Sequence, residues 1–271
     1  MPELPEVETV VRHLRPRLGG RLITGFTAYW PKVTAPVKPQ RFARQVVGRT
    51  IERVRRRGKF IILQLDRGLV HVHLRMTGRL LLLPPGQTGD LPHLTAAFTL
   101  SGDDRLLFRD VRKFGRIGYL ESPVSLEARL GPEPLSEEFT PQVLRKMLAG
   151  RRRQIKPLLL DQTFIAGLGN IYVDEVLFSA GIHPLSLASR LDARRATTLH
   201  GAIREVLTDS IAHNGTTIIN FGYGDNEAGG FRERLLVFGR QEEPCLVCAT
   251  PLVKTKVAQR GTYLCPHCQP A

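Results

Sequence analysis

"CLVCATPLVKTKVAQRGTYLCPHC" (245–268) holds all four cysteines of the chain, in two C-x₂-C pairs separated by sixteen residues. That spacing is the pattern of a zinc site. Two thiolate pairs on tight turns give four soft ligands that close a tetrahedron, so the metal is structural and has no open position for catalysis. Two disulfides are the competing reading. They are disfavoured in a reducing compartment, and a metal stabilises a module this short of apolar residues more effectively. We therefore expect one zinc ion on Cys245, Cys248, Cys265 and Cys268, with His267 surplus to the ligand set. Between the pairs, "KTKVAQRGTY" (254–263) reads as a β-hairpin that presents Lys254, Lys256 and Arg260. Such a ribbon suits a groove or a row of phosphates.

The charge of the whole chain points the same way. Its 271 residues carry 39 Lys and Arg against 25 acids, a formal net charge of +14. A pI near 10.3 is the electrostatic footprint of a nucleic-acid binder. "RFARQVVGRTIERVRRRGK" (41–59) contains eight basic side chains and the single acid Glu52, and "RRRQIK" (151–156) is a second run far away in sequence. Runs recurring along the chain fit a folded surface tracking phosphates better than a basic tail. No apolar run approaches the ~20 residues of a membrane span. The charged N-terminus lacks the apolar segment of a secretory signal. A cytoplasmic, nucleoid-associated protein is expected, with no membrane partner.

Upstream of the tail, two textures follow each other. Val7, Val10, Val11, Leu14 and Leu18 fall at helical spacing over 5–18. Short β-like runs come next, among them 60–65, 69–74, 79–83, 94–100 and 116–121, separated by Gly and Pro. They suggest a sandwich or barrel. "GPEPLSEEFTP" (131–141) reads as a linker. Helices are then expected at 141–149, behind the Thr140 cap, at 171–180, and from Asp192 to about His213. "FGYGDNEAGGF" (221–231) is a glycine-rich loop.

Three motifs now stand in one order: "PELPEVET" from Pro2, "GLGNIYVDE" (167–175) and the cysteine tail. Together, over essentially the whole length, the chain resembles the bacterial formamidopyrimidine-DNA glycosylases, which remove oxidised purines from DNA. The resemblance implies an α+β multidomain fold, with an N-terminal β-sandwich flanked by helices. A C-terminal helix–two-turn–helix domain plus a zinc-finger β-hairpin completes it. The corresponding boundaries are 1–131, 132–231 and 232–271. A monomer acting on double-stranded DNA with oxidised bases or abasic sites is expected. Two readings stay open beside it. The endonuclease VIII branch, which prefers oxidised pyrimidines, typically opens with glycine where Leu4 stands here. A non-catalytic zinc protein could bind DNA with the same basic faces.

The resemblance assigns roles residue by residue. Pro2, exposed as the N-terminus once Met1 is removed, matches the nucleophile, and its secondary amine is the only one a protein can offer. Glu3 matches the acid–base carboxylate, and Glu6 matches a second acid, which we assign to orienting the N-terminus. Lys59 matches a lysine at the lesion site. Met76, Arg112 and Phe114 match the side chains that fill the void left by an extruded base. His73, Lys156, Asn170 and Arg260 match phosphate-contacting positions, and Arg260 is also placed with the catalytic group. For Glu8, placement near the positive end of a helix is explanation enough. The segment 222–230 matches a lesion-covering loop, in which relatives often carry lysine where Glu227 falls.

Overall fold

Helix α1 (Leu4–Leu18) begins where the first motif predicts, and its start is set by side chains. Glu3 is the N-cap, and the Glu6 carboxylate reaches back to accept the Glu3 backbone N–H at 2.9 Å, half of a reciprocal capping box. Val7, Val10, Val11, Leu14 and Leu18 are fully or almost fully buried along one face. Each such burial contributes about 1.5–3 kcal/mol. We describe residues 2–87, 91–216, 219–220, 226–227 and 229–271 from a computed structural model.

The chain divides into two units. The first comprises residues 1–128 with 214–229, and the second 129–213 with 230–271. In the first unit, β1 (Ile23–Ala28), α2 (Pro39–Val46) and β2 (Ile51–Arg57) precede β3 (Phe60–Leu65) and β4 (Leu69–His73). Strands β5 (Gly78–Leu83), β6 (Leu94–Leu100), β7 (Arg105–Asp110) and β8 (Arg116–Leu120) follow, then the short α3 (Val124–Glu127). Two four-stranded antiparallel sheets result, in the orders β1-β6-β7-β5 and β2-β3-β4-β8. Ile61, Leu63 and Leu65 alternate into a core that they share with α1 and with Leu80, Leu82, Phe98 and Phe108 of the other sheet. That period of two is what a half-buried strand requires. Leu81, Leu83, Ala97 and Leu107 form a smaller cluster of their own. The basic run 41–59 is thus a helix and an edge strand, not a tail. On β2 only Ile51 and Val54 are buried, and the remaining positions are charged, which blunts the open edge. Short strands β9 (Ile219–Asn220) and β10 (Asn226–Glu227) pair antiparallel. Most of the glycine-rich loop expectation, 222–230, falls outside the described residues.

The second unit contains α4 (Pro141–Leu148), α5 (Ile155–Leu159), α6 (Asn170–Ser179) and α7 (Ala193–Ala212). Thr140 caps α4 by accepting from the Val143 N–H at 3.3 Å, and Asp192 caps α7 by accepting from Arg195 N–H at 2.7 Å. Helix α6 is buried almost all round, including Asp174 and Glu175. Strands β11 (Val253–Val257) and β12 (Arg260–Leu264) form the expected hairpin. Its two-residue turn places both Ala258 (φ 46°) and Gln259 (φ 63°) in the left-handed region, as a type I′ turn demands. Arg260 is therefore the first residue beyond the turn, at the hairpin tip. Among the described residues, no helix is long and apolar enough to cross a membrane.

Candidate active site and nucleic-acid interface

The N-terminal turn gathers the first group. Pro2 is half-buried, while Glu3 and Glu6 are both 2% exposed. Glu6 holds two segments at once. Its Oε2 accepts from the Glu3 backbone, and its Oε1 accepts from the Thr216 N–H at 2.9 Å and the Thr216 hydroxyl at 3.1 Å. Gly215 allows that approach, since a Cβ there would lie 2.5 Å from Oε1 and its φ is +75°. Glu8 does more than sit near a helix end. Its carboxylate pairs with Arg56 at 3.0 Å and stands within 3.7 Å of Arg12 and Arg15, joining α1 to β2.

Lys59 follows Gly58 in the tight β2–β3 connection and is 7% exposed. The next residue, Phe60, pairs across the sheet with His73 and packs edge-on against its ring at 4.7 Å. Burial pushes His73 down to about 3, and the charges of Arg75, Lys59 and His71 push in the same direction. His73 is thus a neutral imidazole at working pH. Its Nδ1 accepts from the Arg75 N–H at 3.0 Å, so the ring proton sits on Nε2 as a donor. A neutral donor suits a phosphate oxygen without adding a buried charge.

Met76 and Phe114 settle the choice between core and surface. They are 43% and 48% exposed, large apolar side chains facing water from turns. Arg112 joins them: its Nη1 lies 3.0 Å from the Met76 sulfur, and its guanidinium lies 4.7 Å from the Phe114 ring centroid. The three side chains, separated by up to 38 positions in sequence (76 to 114), form one exposed group. Sequence reasoning missed the residues beneath them, Thr77 and Asp110. The only sequence signal was an aspartate opening the turn "DVRKFG", a residue type that bonds its own following backbone.

In the second unit, Lys156, which matches a phosphate-contacting position, is 0% exposed. Its Nζ donates to Asp174 Oδ1 at 2.6 Å and to the Gly261 carbonyl at 3.0 Å. The cause lies in its sequence neighbours: Ile155, Leu158 and Leu159 are core residues, and they draw the start of α5 inward with them. Asn170 donates to the same Gly261 carbonyl at 2.9 Å, and Asp174 Oδ2 accepts from the Tyr263 N–H at 3.0 Å. Lys156, Asn170 and Asp174 therefore fix the strand beginning at Arg260. Burial raises the Asp174 carboxyl to about 6, opposed first by the Lys156 charge. Neighbouring Glu175 accepts from the backbone N–H groups of Leu236, Val237 and Phe238 at 2.8–3.0 Å. Burial raises this carboxyl as well, against those three bonds.

This arrangement separates two cations that look alike in sequence. Arg260→Ala should leave stability unchanged and reduce the slope of log DNA affinity against log salt by about one. Lys156→Ala should instead leave Asp174 as an unpaired buried charge, costing about 3–5 kcal/mol of stability. Salt-dependent binding isotherms and chemical denaturation of both variants check this.

The cysteine cluster fits one metal ion. Its four sulfur atoms all lie within 4.8 Å of one another, and three of the pairs are 3.5–3.9 Å apart. A tetrahedron with Zn–S bonds of ~2.3 Å sets sulfurs ~3.8 Å apart. The N–H groups of Val247 and Cys268 point at Cys245 and Cys265 sulfurs at 3.4 Å, as expected around thiolates. This is a zinc site that holds the base of the hairpin.

A two-sheet sandwich with its helical N-terminus, a helical domain and a four-cysteine hairpin define an α+β protein with a zinc-finger module. The formamidopyrimidine-DNA glycosylase N-terminal domain matches residues 1–117, and the helix–two-turn–helix domain of the same enzymes matches 130–221. The zinc finger found in FPG and IleRS matches 242–271. A formamidopyrimidine-DNA glycosylase of Chloroflexus aggregans is 46% identical over 99% of this chain and 98% of its own length. That of Carboxydothermus hydrogenoformans is 43% identical over 99% and 100%. A Lactococcus lactis Fpg mutant bound to Fapy-dG-containing DNA superposes with a TM-score of 0.92 at 36% identity, covering 100% of both chains. The L. lactis Fpg complex with abasic-site DNA gives 0.90 at 36%, over 99% of this chain and 100% of the other. The chain belongs to the formamidopyrimidine-DNA glycosylase family.

Proposed function

We propose that this protein is a bifunctional DNA glycosylase and abasic-site lyase of base excision repair, acting on oxidised purines through the amine of Pro2. The observation that carries the reading is the buried pair Glu3 and Glu6 at the head of α1, directly behind Pro2. An α-amine has a pKa of ~7.7–8.0, so a useful fraction is unprotonated at neutral pH. Its lone pair attacks the sugar C1′, and the bond from C1′ to the base breaks. Glu3 gives its proton to the sugar ring oxygen as the ring opens. Because the amine is secondary, the product is a cationic iminium. That electron sink promotes β- and then δ-elimination of the phosphates. Glu6 keeps the N-terminal turn in register, and Lys59 supplies positive charge at the lesion.

Extrusion of the base costs a few kcal/mol, and the exposed Met76–Arg112–Phe114 group is suited to occupy the vacated stack. His73, Asn170 and Arg260 take phosphates, Lys156 steadies Arg260, and the 222–230 loop covers the lesion. The protein works as a monomer in the cytoplasm. An L. lactis relative has been crystallised with oxidised-pyrimidine DNA. Lesion class is therefore tested directly, by cleavage of duplexes carrying oxidised guanine or thymine glycol. Borohydride trapping on abasic DNA tests the chemistry: a covalent complex is expected. Its absence in a protein that binds the same DNA leaves the non-catalytic reading.

A further inference from the structure

The two turns that carry the exposed Met76–Arg112–Phe114 group are locked together from below. Asp110 is the last residue of β7, is 1% exposed, and pairs in register with Gly78, the first residue of β5. Its Oδ1 accepts from the Thr77 hydroxyl and from the Arg112 N–H at 3.2 Å, and its Oδ2 accepts from the Gly115 N–H at 2.7 Å. The Thr77 oxygen also accepts from Arg112 N–H, at 3.1 Å. One carboxylate thus grips the turn carrying Phe114 on both sides of it, at residues 112 and 115. Through Thr77 it grips the turn carrying Met76 as well.

These turns need an external restraint. Arg75 (φ 54°) and Lys113 (φ 56°) adopt left-handed backbone, which side-chain-bearing residues rarely choose. Gly115 lies so close to the core that a Cβ would come within 2.4 Å of the Phe108 ring. Met76 and Phe114 are about half exposed, so packing restrains them only in part. Left alone, two exposed apolar side chains on separate turns would splay or collapse.

We propose that Thr77 and Asp110 are positioning residues. They clasp the two turns so that Met76, Arg112 and Phe114 stand preassembled as one rigid wedge before any DNA is bound. This rests on the reading of those three as the void-filling group. A preassembled wedge accelerates only the step that needs one, the opening of a stacked, paired base. An abasic site has no base to extrude and should be nearly indifferent to the clasp. A clasp that served stability alone would affect both substrates alike.

The test compares single-turnover rates on two duplexes of the same sequence, one with oxidised guanine and one with a preformed abasic site. Thr77→Val keeps the shape and removes the hydroxyl. It is expected to slow excision of the oxidised base by ~10-fold, because small misplacements near the reacting site cost up to ~10²-fold. Abasic-strand cleavage and melting temperature should stay near wild type. Thr77→Ser, which restores the hydroxyl, should recover the rate, and Thr77→Ala, read in the same way, covers a valine that fits poorly. Phe114→Ala in parallel separates the two levels of argument. If Phe114→Ala shows the substrate split and neither Thr77→Val nor Thr77→Ala does, the clasp is overturned and the wedge stands. If Phe114→Ala slows both substrates equally, the wedge reading fails. Equal slowing of both substrates by the Thr77 variants also overturns the clasp.

Discussion

A protein that keeps Met1 in front of Pro2 should bind abasic or oxidised duplex DNA normally, form no borohydride-trapped adduct and excise nothing. The amide that replaces the secondary amine has no basic lone pair, so the route through Pro2 is closed, and the Met1 amine stands one residue away from the position that the Glu3–Glu6 turn holds. Loss of a catalytic nucleophile costs as much as ~10⁶-fold in well-studied hydrolases, and a fall of at least ~10⁴-fold is expected here. Binding should persist because Arg260, the Arg112 group and the basic strand are untouched. Glu3→Gln makes an instructive contrast. It preserves the amine and removes the proton for ring opening, so excision should fall by ~10²–10⁴-fold. Cleavage at a preformed abasic site should suffer less, since its open aldehyde already presents C1′ to the amine. Equal losses on both substrates would move Glu3 out of the ring-opening step.

The second large effect concerns the metal. Cys248→Ser should abolish stoichiometric zinc and collapse DNA affinity while the sandwich stays folded. The hairpin base has little apolar support: Phe178, Val237, Cys245, Leu252 and Cys265 are the buried residues of its cluster, and two of the five are ligands. Structural zinc contributes ~10–16 kcal/mol of apparent binding free energy in small fingers, far above what such a cluster supplies. Without it, Lys156 and Asn170 have no ordered Gly261 carbonyl to hold, and Arg260 loses its fixed position. Metal analysis, DNA titration and a sandwich-specific probe such as the fluorescence of Trp30 follow the three parts separately. A folded, DNA-binding protein that contains no zinc would refute the assignment.

Much of this architecture is readable in the residues. The strands at 60–65 and 94–100 announce themselves because one or both of their faces are buried, and the cysteine spacing fixes the hairpin by chemistry alone. Strand β2 does not, since its charged positions look like a solvated run. The run 151–156 hides Lys156 for a related reason. Three arginines precede it, and the core residues Ile155, Leu158 and Leu159 together with the tertiary position of Asp174 turn that one cation inward. Asp174 and Glu175 look like the solvent face of a helix. Their burial depends on backbone N–H groups about 60–90 residues later, a pairing that no local pattern encodes. Thr77 and Asp110 stayed hidden similarly. The three exposed side chains came from a family resemblance, but what holds them together is a contact between turns 33 residues apart.

If the amine of Pro2 forms the covalent bond to DNA, mass spectrometry of the proteolysed, borohydride-reduced enzyme–DNA complex should find a sugar remnant on the N-terminal peptide, attached to the nitrogen of Pro2. A crosslink on an internal lysine such as Lys59, with Pro2 unmodified, would contradict that role for Pro2.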